Sequence, residues 1–211
     1  MYENPLIAGY KNARYRFFRW RVDCTFLHKL NIALIMACFT GLGAQVRIYT
    51  PLSPVPVTGQ VFFVLLSAAL LGKWWGGISQ SIYVGIGLLG VPWFAPNASM
   101  PIFSKGGTSV IWGATGGYLI GFIVAAFVMG WILDANIRSN KRITVVLGAM
   151  IFGILIIHAI GVLGLFVTVS ATAPAAAGGA VVSALVLFIP LDLAKAIGAG
   201  AISFGILPNR V

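Results

Sequence analysis

Two residues of this chain have the type and spacing to do chemistry where charge is expensive. Asp192 and Lys195 stand together in the last apolar segment, Phe188-Ile-Pro-Leu-Asp-Leu-Ala-Lys195, within a run from Ala180 to Gly200 that carries no other charge. A charged side chain near mid-bilayer costs about 2.5 to 3.5 kcal/mol on insertion scales, so two in one span need a compensating environment. Three residues apart on a helix, they lie on one face. Either they form an ion pair that only neutralises two awkward side chains, or they hold a polar ligand inside a helix bundle. Intramembrane charges default to functional sites, which favours the ligand.

Little else offers reaction chemistry. No Gly-x-x-x-x-Gly-Lys-Ser/Thr occurs, because Gly72-Lys73 runs on into Trp74-Trp75, so the chain has no phosphate loop for hydrolysing nucleotide. There is no Gly-x-Ser-x-Gly and no His-Glu-x-x-His, and the four acids, Glu3, Asp23, Asp134 and Asp192, form no carboxylate pair. The chain is therefore read as a binding protein and not an enzyme. His28 precedes the first apolar segment and His158 stands alone within the fifth. A lone intramembrane histidine is more often hydrogen-bonded to a neighbouring helix than a proton relay. Neither it nor Cys24 and Cys38 has a second ligand at metal-binding spacing, so no metal or cofactor is expected.

The elements that must position Asp192 and Lys195 are membrane helices. The chain is 59% hydrophobic and 9% charged, with a mean hydropathy of +0.98, the composition of an integral membrane protein. Apolar segments at 30–48, 58–71, 75–91, 109–133, 143–169 and 179–207 predict an all-α bundle of six transmembrane helices, the second and third short for full spans. Six spans put both termini on one side. That side carries Lys11, Arg14, Arg16, Arg19, Arg21, Lys29, Lys73, Arg138, Lys141, Arg142 and Arg210, against Arg47 and Lys105 on the other. The crowded side is then cytoplasmic, and membrane topology rather than nucleic acid accounts for the net charge of +10.

Residues 1–29 read as a basic and aromatic cytoplasmic extension, an anchor on an anionic leaflet in preference to an RNA-binding arm, and residues 30–211 as the membrane domain. The extension lacks the pattern of a cleavable signal peptide. No internal repeat is visible, which lowers the case for an alternating-access carrier. Two loops on the less basic side are informative. Tyr49–Thr58 has prolines at 51, 54 and 56 and is expected to form a stiff, extended lid. Val91–Gly107 mixes Trp93 and Phe103 with Asn97, Ser104 and Lys105, as a pocket wall does, although Trp93 suits an interfacial aromatic belt equally well. Small residues at 113, 117, 121 and 125 predict a helix-packing seam, as do Ala33, Ala37 and Gly41.

These stretches together resemble the BioY family, the substrate-binding (S) components of biotin transporters of the energy-coupling-factor (ECF) type. The resemblance runs from about Ala33 to Gly205, through Pro54-Val-Pro-Val-Thr-Gly-Gln60, Gly87-Leu-Leu-Gly-Val-Pro92, Gly106-Gly107, Gly113-Ala-Thr-Gly-Gly-Tyr-Leu-Ile-Gly-Phe122 and Phe188-Ile-Pro-Leu-Asp-Leu-Ala-Lys195. It implies a compact six-helix bundle of a prokaryotic cytoplasmic membrane, with a biotin pocket open to the outer face and capped by the first and third loops. It further implies that Asp192, Lys195 and Asn97 hold the ligand's polar groups. Trp93, Phe103 and Tyr118 are candidates by position for the walls around its sulfur ring, and Lys105 for its carboxylate. The same resemblance implies docking of Ala33 and Ala37 on a transmembrane coupling subunit, with two ATPase subunits consuming the ATP. The chain departs from the family at Gly59, where a larger apolar residue is usual and a looser lid is the expected result, and at Ala114 and Leu191. Rival readings are an S component for another vitamin such as thiamine, an autonomous proton-coupled carrier, and a structural membrane protein whose charges merely pair.

Overall fold

A computed structural model describes residues 5–136 and 142–206. Of the basic residues assigned to the crowded side, Arg138, Lys141 and Arg210 lie outside the described residues. The elements run α1 (Pro5–Asp23), α2 (Phe26–Gln45), a hairpin of β1 (Arg47–Thr50) and β2 (Ser53–Thr58), α3 (Gln60–Leu88), a 3-10 turn (Thr108–Trp112), α4 (Gly116–Ala135), α5 (Arg142–Thr172) and α6 (Pro174–Ile206).

Five of these helices are long and apolar enough to cross a membrane, and α3 supplies two crossings. It breaks at Gly72, where φ is 78° and ψ is −170°, a left-handed conformation that glycine adopts without steric cost. The chain then doubles back. Gln60 Nε2 donates to Tyr83 OH at 2.7 Å, Gln80 Nε2 donates to Ser67 Oγ at 3.0 Å, and Gly76 lies against the backbone of Ala68. Residues 60–71 and 73–88 are thus antiparallel arms, the two short segments anticipated from hydropathy. At 1.5 Å per residue they span about 18 and 24 Å, less than a hydrocarbon core of about 30 Å.

The arms pack between α2 and α4. Asp134, near the end of α4, accepts the backbone N–H of Lys73 at 2.9 Å and so caps the second arm where it leaves the break. Farther along α4, the small-residue stripe faces α5: a Cβ on Gly117 would meet Ile160 O at 2.6 Å, and one on Gly121 would meet the backbone of Ile157 at 3.1 Å. Only hydrogen at these positions lets the two backbones approach this closely. Gly113 falls outside the helix, because residues 108–115 form the 3-10 turn and its exit instead of the expected first turns of a span.

At the other crossing, the expected loop between α5 and α6 shrinks to a single residue, Ala173. Proline is tolerated at a first helical position, where Pro174 sits, and the alanines around it favour helix. Buried Leu65, Tyr83, Met129, Met150 and Ile157 fill the interior, while Leu34, Ile35, Val124, Phe152 and Leu155 are exposed and face the surrounding lipid.

The bundle has two unlike ends. At the basic end lie α1, the α3 break and the terminus of α6. Tyr10 OH donates to Gly205 O and the Arg14 guanidinium donates to Phe204 O, which satisfies carbonyls left open by the last turn of α6. At the loop end, the stiff segment predicted from its prolines is a two-stranded antiparallel ribbon, with Arg47 opposite Thr58 and Ile48 opposite Val57.

Candidate functional site

Asp192 is 3% exposed, and both of its oxygens are engaged. Lys195 Nζ donates to Oδ1 at 2.6 Å from one turn along α6, and His158 Nε2 of α5 lies 3.0 Å from Oδ2. Pro190 precedes the pair inside α6; having no N–H, it leaves the carbonyl of Val186 without its helical partner. A buried charge survives only when paired and hydrogen-bonded, and this carboxylate is both.

The same cluster forms one side of a narrow chamber with about 40 Å³ of free space. β2 closes the loop end with Val55, Pro56, Val57 and Thr58, and Gln60 continues that wall into α3. Tyr118 and Phe122 of α4, Phe188 of α6 and Phe94 from the loop supply aromatic surface. Tyr118 stands edge-on to both His158 and Phe188, with ring centroids 6.1 and 5.9 Å apart.

A second cavity of about 460 Å³ adjoins the chamber at Pro56 and Thr115. It lies among Tyr49, Ser53, Asn97, Ala114 and Lys105, and Lys105 Nζ donates to Asn97 Oδ1 at 3.2 Å. Partial burial holds the Lys105 ammonium below the usual lysine range.

Ribbon and loop are fastened together as one cover. Gln45 Nε2 donates to Trp93 O at 3.0 Å and its Oε1 accepts from Phe103 N at 2.9 Å. Arg47 donates to Met100 O at 2.8 Å, and Tyr49 OH donates to Pro96 O. Among the described residues no cluster of His, Cys, Asp and Glu is placed to hold a metal. The arrangement suits a molecule with a compact polar head and an apolar body.

A model of the BioY family matches residues 19–209. The chain belongs to the BioY family. It is 42% identical over 148 residues to a probable biotin transporter BioY of Methanothermobacter thermautotrophicus, which covers 69% of this chain and 89% of that one. It is 31% identical over 188 residues to the biotin transporter BioY of Rhodobacter capsulatus, which covers 85% and 92%. Its fold matches a crystal structure of the S-component for biotin from an ECF-type ABC transporter, with a TM-score of 0.71 at 25% identity over 84% of this chain and 89% of that one. This BioY chain is accordingly an integral membrane protein of the S-component fold.

The residues singled out from the sequence fall into four groups in this BioY chain. Asp192, Lys195 and Tyr118 meet in the chamber, and Asn97 and Lys105 meet in the adjoining cavity. Trp93 and Phe103 are not among the residues lining either cavity. The Trp93 indole is turned onto α3, where its N–H donates to Tyr83 O at 3.0 Å, and its neighbour Phe94 takes the wall position; Phe103 is 45% exposed. Ala33 and Ala37 are fully buried, so in the isolated chain this stripe of α2 packs into the bundle and presents no face to a partner.

Gly59 also differs from its expectation. Its N–H donates to Gly43 O and Val46 O, both at 2.9 Å, and its lack of a side chain lets the ribbon return tightly onto α2 instead of loosening the lid. His158, Gln60 and Gln45 were not anticipated in the site. For His158 a signal existed, since an intramembrane histidine obeys the same rule as Asp192. It is hydrogen-bonded to a neighbouring helix, as a lone histidine there was expected to be, and the partner is the site's own carboxylate.

Proposed function

We propose that this chain is the biotin-binding S component of an ECF-type vitamin uptake transporter. The observation that carries the reading is a chamber that sets a paired carboxylate and ammonium against aromatic walls and opens toward a second cation. Biotin has the same division. Its ureido group offers two N–H donors and one carbonyl acceptor, which Asp192 and Lys195 can serve. Its thiolane ring is apolar and fits against Tyr118, Phe122 and Phe188. The valerate chain passes between Pro56 and Thr115, and its carboxylate reaches Lys105 beside Asn97.

The charge asymmetry supports an orientation with the basic end in the cytoplasm, which turns the ribbon and loop outward. Biotin then enters from the outer face under that cover. The chain has no phosphate loop of its own, so energy comes from a transmembrane coupling subunit and two ATPase subunits.

The decisive experiment is equilibrium binding of biotin to the purified protein in detergent, with thiamine and riboflavin as controls. Saturable binding of biotin alone is expected. Binding of thiamine in its place assigns another vitamin. No binding by a sample with a cooperative melting transition returns Asp192 and Lys195 to a structural ion pair.

A further inference from the structure

Four buried side-chain polar atoms among the described residues lack a hydrogen-bond partner: Arg47 Nη1, Gln80 Oε1, Tyr118 OH and His158 Nδ1. The last two belong to residues that line the chamber. Buried polar groups in folded proteins are almost always paired, so two unpaired atoms at one cavity call for a ligand that pairs them.

Their chemical senses differ. Asp192 Oδ1 accepts from Lys195 and Oδ2 is placed to accept a hydrogen carried on His158 Nε2, the tautomer in which Nδ1 is a bare acceptor. A doubly protonated ring would set a second cation beside Lys195 with Asp192 as the one acid within reach. The other described acids, Asp23 and Asp134, lie in α1 and near the basic end of α4. The Tyr118 hydroxyl, by contrast, has a hydrogen to donate.

Two residues of the chamber wall therefore carry an acceptor and a donor without partners, on rings whose centroids are 6.1 Å apart. A cyclic urea carries the complementary pair, N–H beside C=O, on one rigid edge. We propose that His158 and Tyr118 bind the ligand directly, Nδ1 accepting one ureido N–H and the Tyr118 hydroxyl donating to the ureido carbonyl, alongside Asp192 and Lys195. This rests on the biotin reading above. It gives His158 two tasks: Nε2 orients Asp192, and Nδ1 tests the ligand for an N–H. A ligand with a ring oxygen at that position would set lone pair against lone pair.

The test uses biotin and its two carbamate analogues, in which a ring oxygen replaces one or the other N–H, in equilibrium binding to the purified full chain. One analogue is expected to bind wild type about 10-fold or more weakly than biotin, the effect of one lost hydrogen bond. His158→Gln keeps an amide donor for Asp192 and removes the ring nitrogen Nδ1 from its place. It should weaken biotin and bring that analogue within about threefold of it. A gap as wide in His158→Gln as in wild type overturns the proposal while leaving the biotin site standing. Absence of biotin binding to wild type overturns the site and this proposal together.

If His158→Gln does not fold, nitrogen-15 labelling of histidine gives the answer without touching the site. The chain has two histidines, and His28→Gln leaves His158 alone. Saturating biotin must shift the Nδ1 resonance and the oxygen-substituted analogue must leave it in place; a resonance unmoved by biotin overturns the assignment.

Discussion

Asp134, near the end of α4, and Asp192, midway along α6, are the same residue type in one bundle, yet they do different work. Asp134, at the basic end, spends a carboxylate oxygen on a backbone N–H, that of Lys73 at the α3 break. Asp192 makes no such backbone bond; its oxygens face two side chains, and around them lie a chamber and unpaired atoms. A carboxylate that closes a backbone gap is finished once the fold is made. One held by titratable side chains at a cavity still has something to receive.

The largest effect that separates them is on stability. Lys195→Ala leaves Asp192 buried with only His158 beside it, and removal of one partner from a buried pair typically costs about 3 to 5 kcal/mol. Lys73→Ala keeps the backbone N–H that Asp134 uses and is expected to cost no more than about 1 kcal/mol, the value of its cation–π contact with Trp74. Thermal melts of both variants in one detergent make the comparison. Equal melting temperatures would mean that water already solvates the Asp192 pair.

The second contrast is in ligand binding. Asp192→Asn is expected to weaken biotin by about 1.5 to 3 kcal/mol, the value of a hydrogen bond to a charged group. Asp134→Ala should lose about 1 kcal/mol of stability with its cap and leave the dissociation constant unchanged. A loss of affinity in Asp134→Ala would show that the α3 break is coupled to the chamber and that the two acids are less independent than their surroundings suggest.

The difference between the two acids was only half legible in the sequence. Asp192 stood out because its segment is apolar throughout, and hydropathy located every crossing, including the two short arms that meet at Gly72. Asp134 gave no signal, since the main-chain N–H it accepts from is sixty-one residues away and a main-chain donor leaves no mark in a pattern of side chains. His158 is separated from Asp192 by thirty-four residues, and a bond between α5 and α6 depends on how those helices pack. Trp93 was misplaced by one residue because a loop has no periodicity to say which of two adjacent aromatics turns inward; here the indole N–H finds Tyr83 O and Phe94 takes the wall. Ala33 and Ala37 reveal a second blind spot. Small-residue spacing predicts that a face packs closely, not whether the surface against it belongs to the same chain.

The smallest effect concerns Lys105 and tests the outer compartment. Lys105 is half-buried beside Asn97, and burial disfavours its ammonium, so it loses its proton at a lower pH than a free lysine would. A carboxylate bound there favours the ammonium, so binding takes up a proton wherever Lys105 is neutral in the free protein. Affinity for biotin should therefore be highest below the lowered pKa and fall as pH rises through it, by at most about tenfold per pH unit. Lys105→Gln should flatten that profile at a weaker baseline. Biotinol, which lacks the carboxylate, should show no such fall with wild type even though its ureido group still meets Asp192 and Lys195. A decline of equal slope for biotin and biotinol would move the titrating group from Lys105 into the chamber, and the valerate carboxylate would then need another partner.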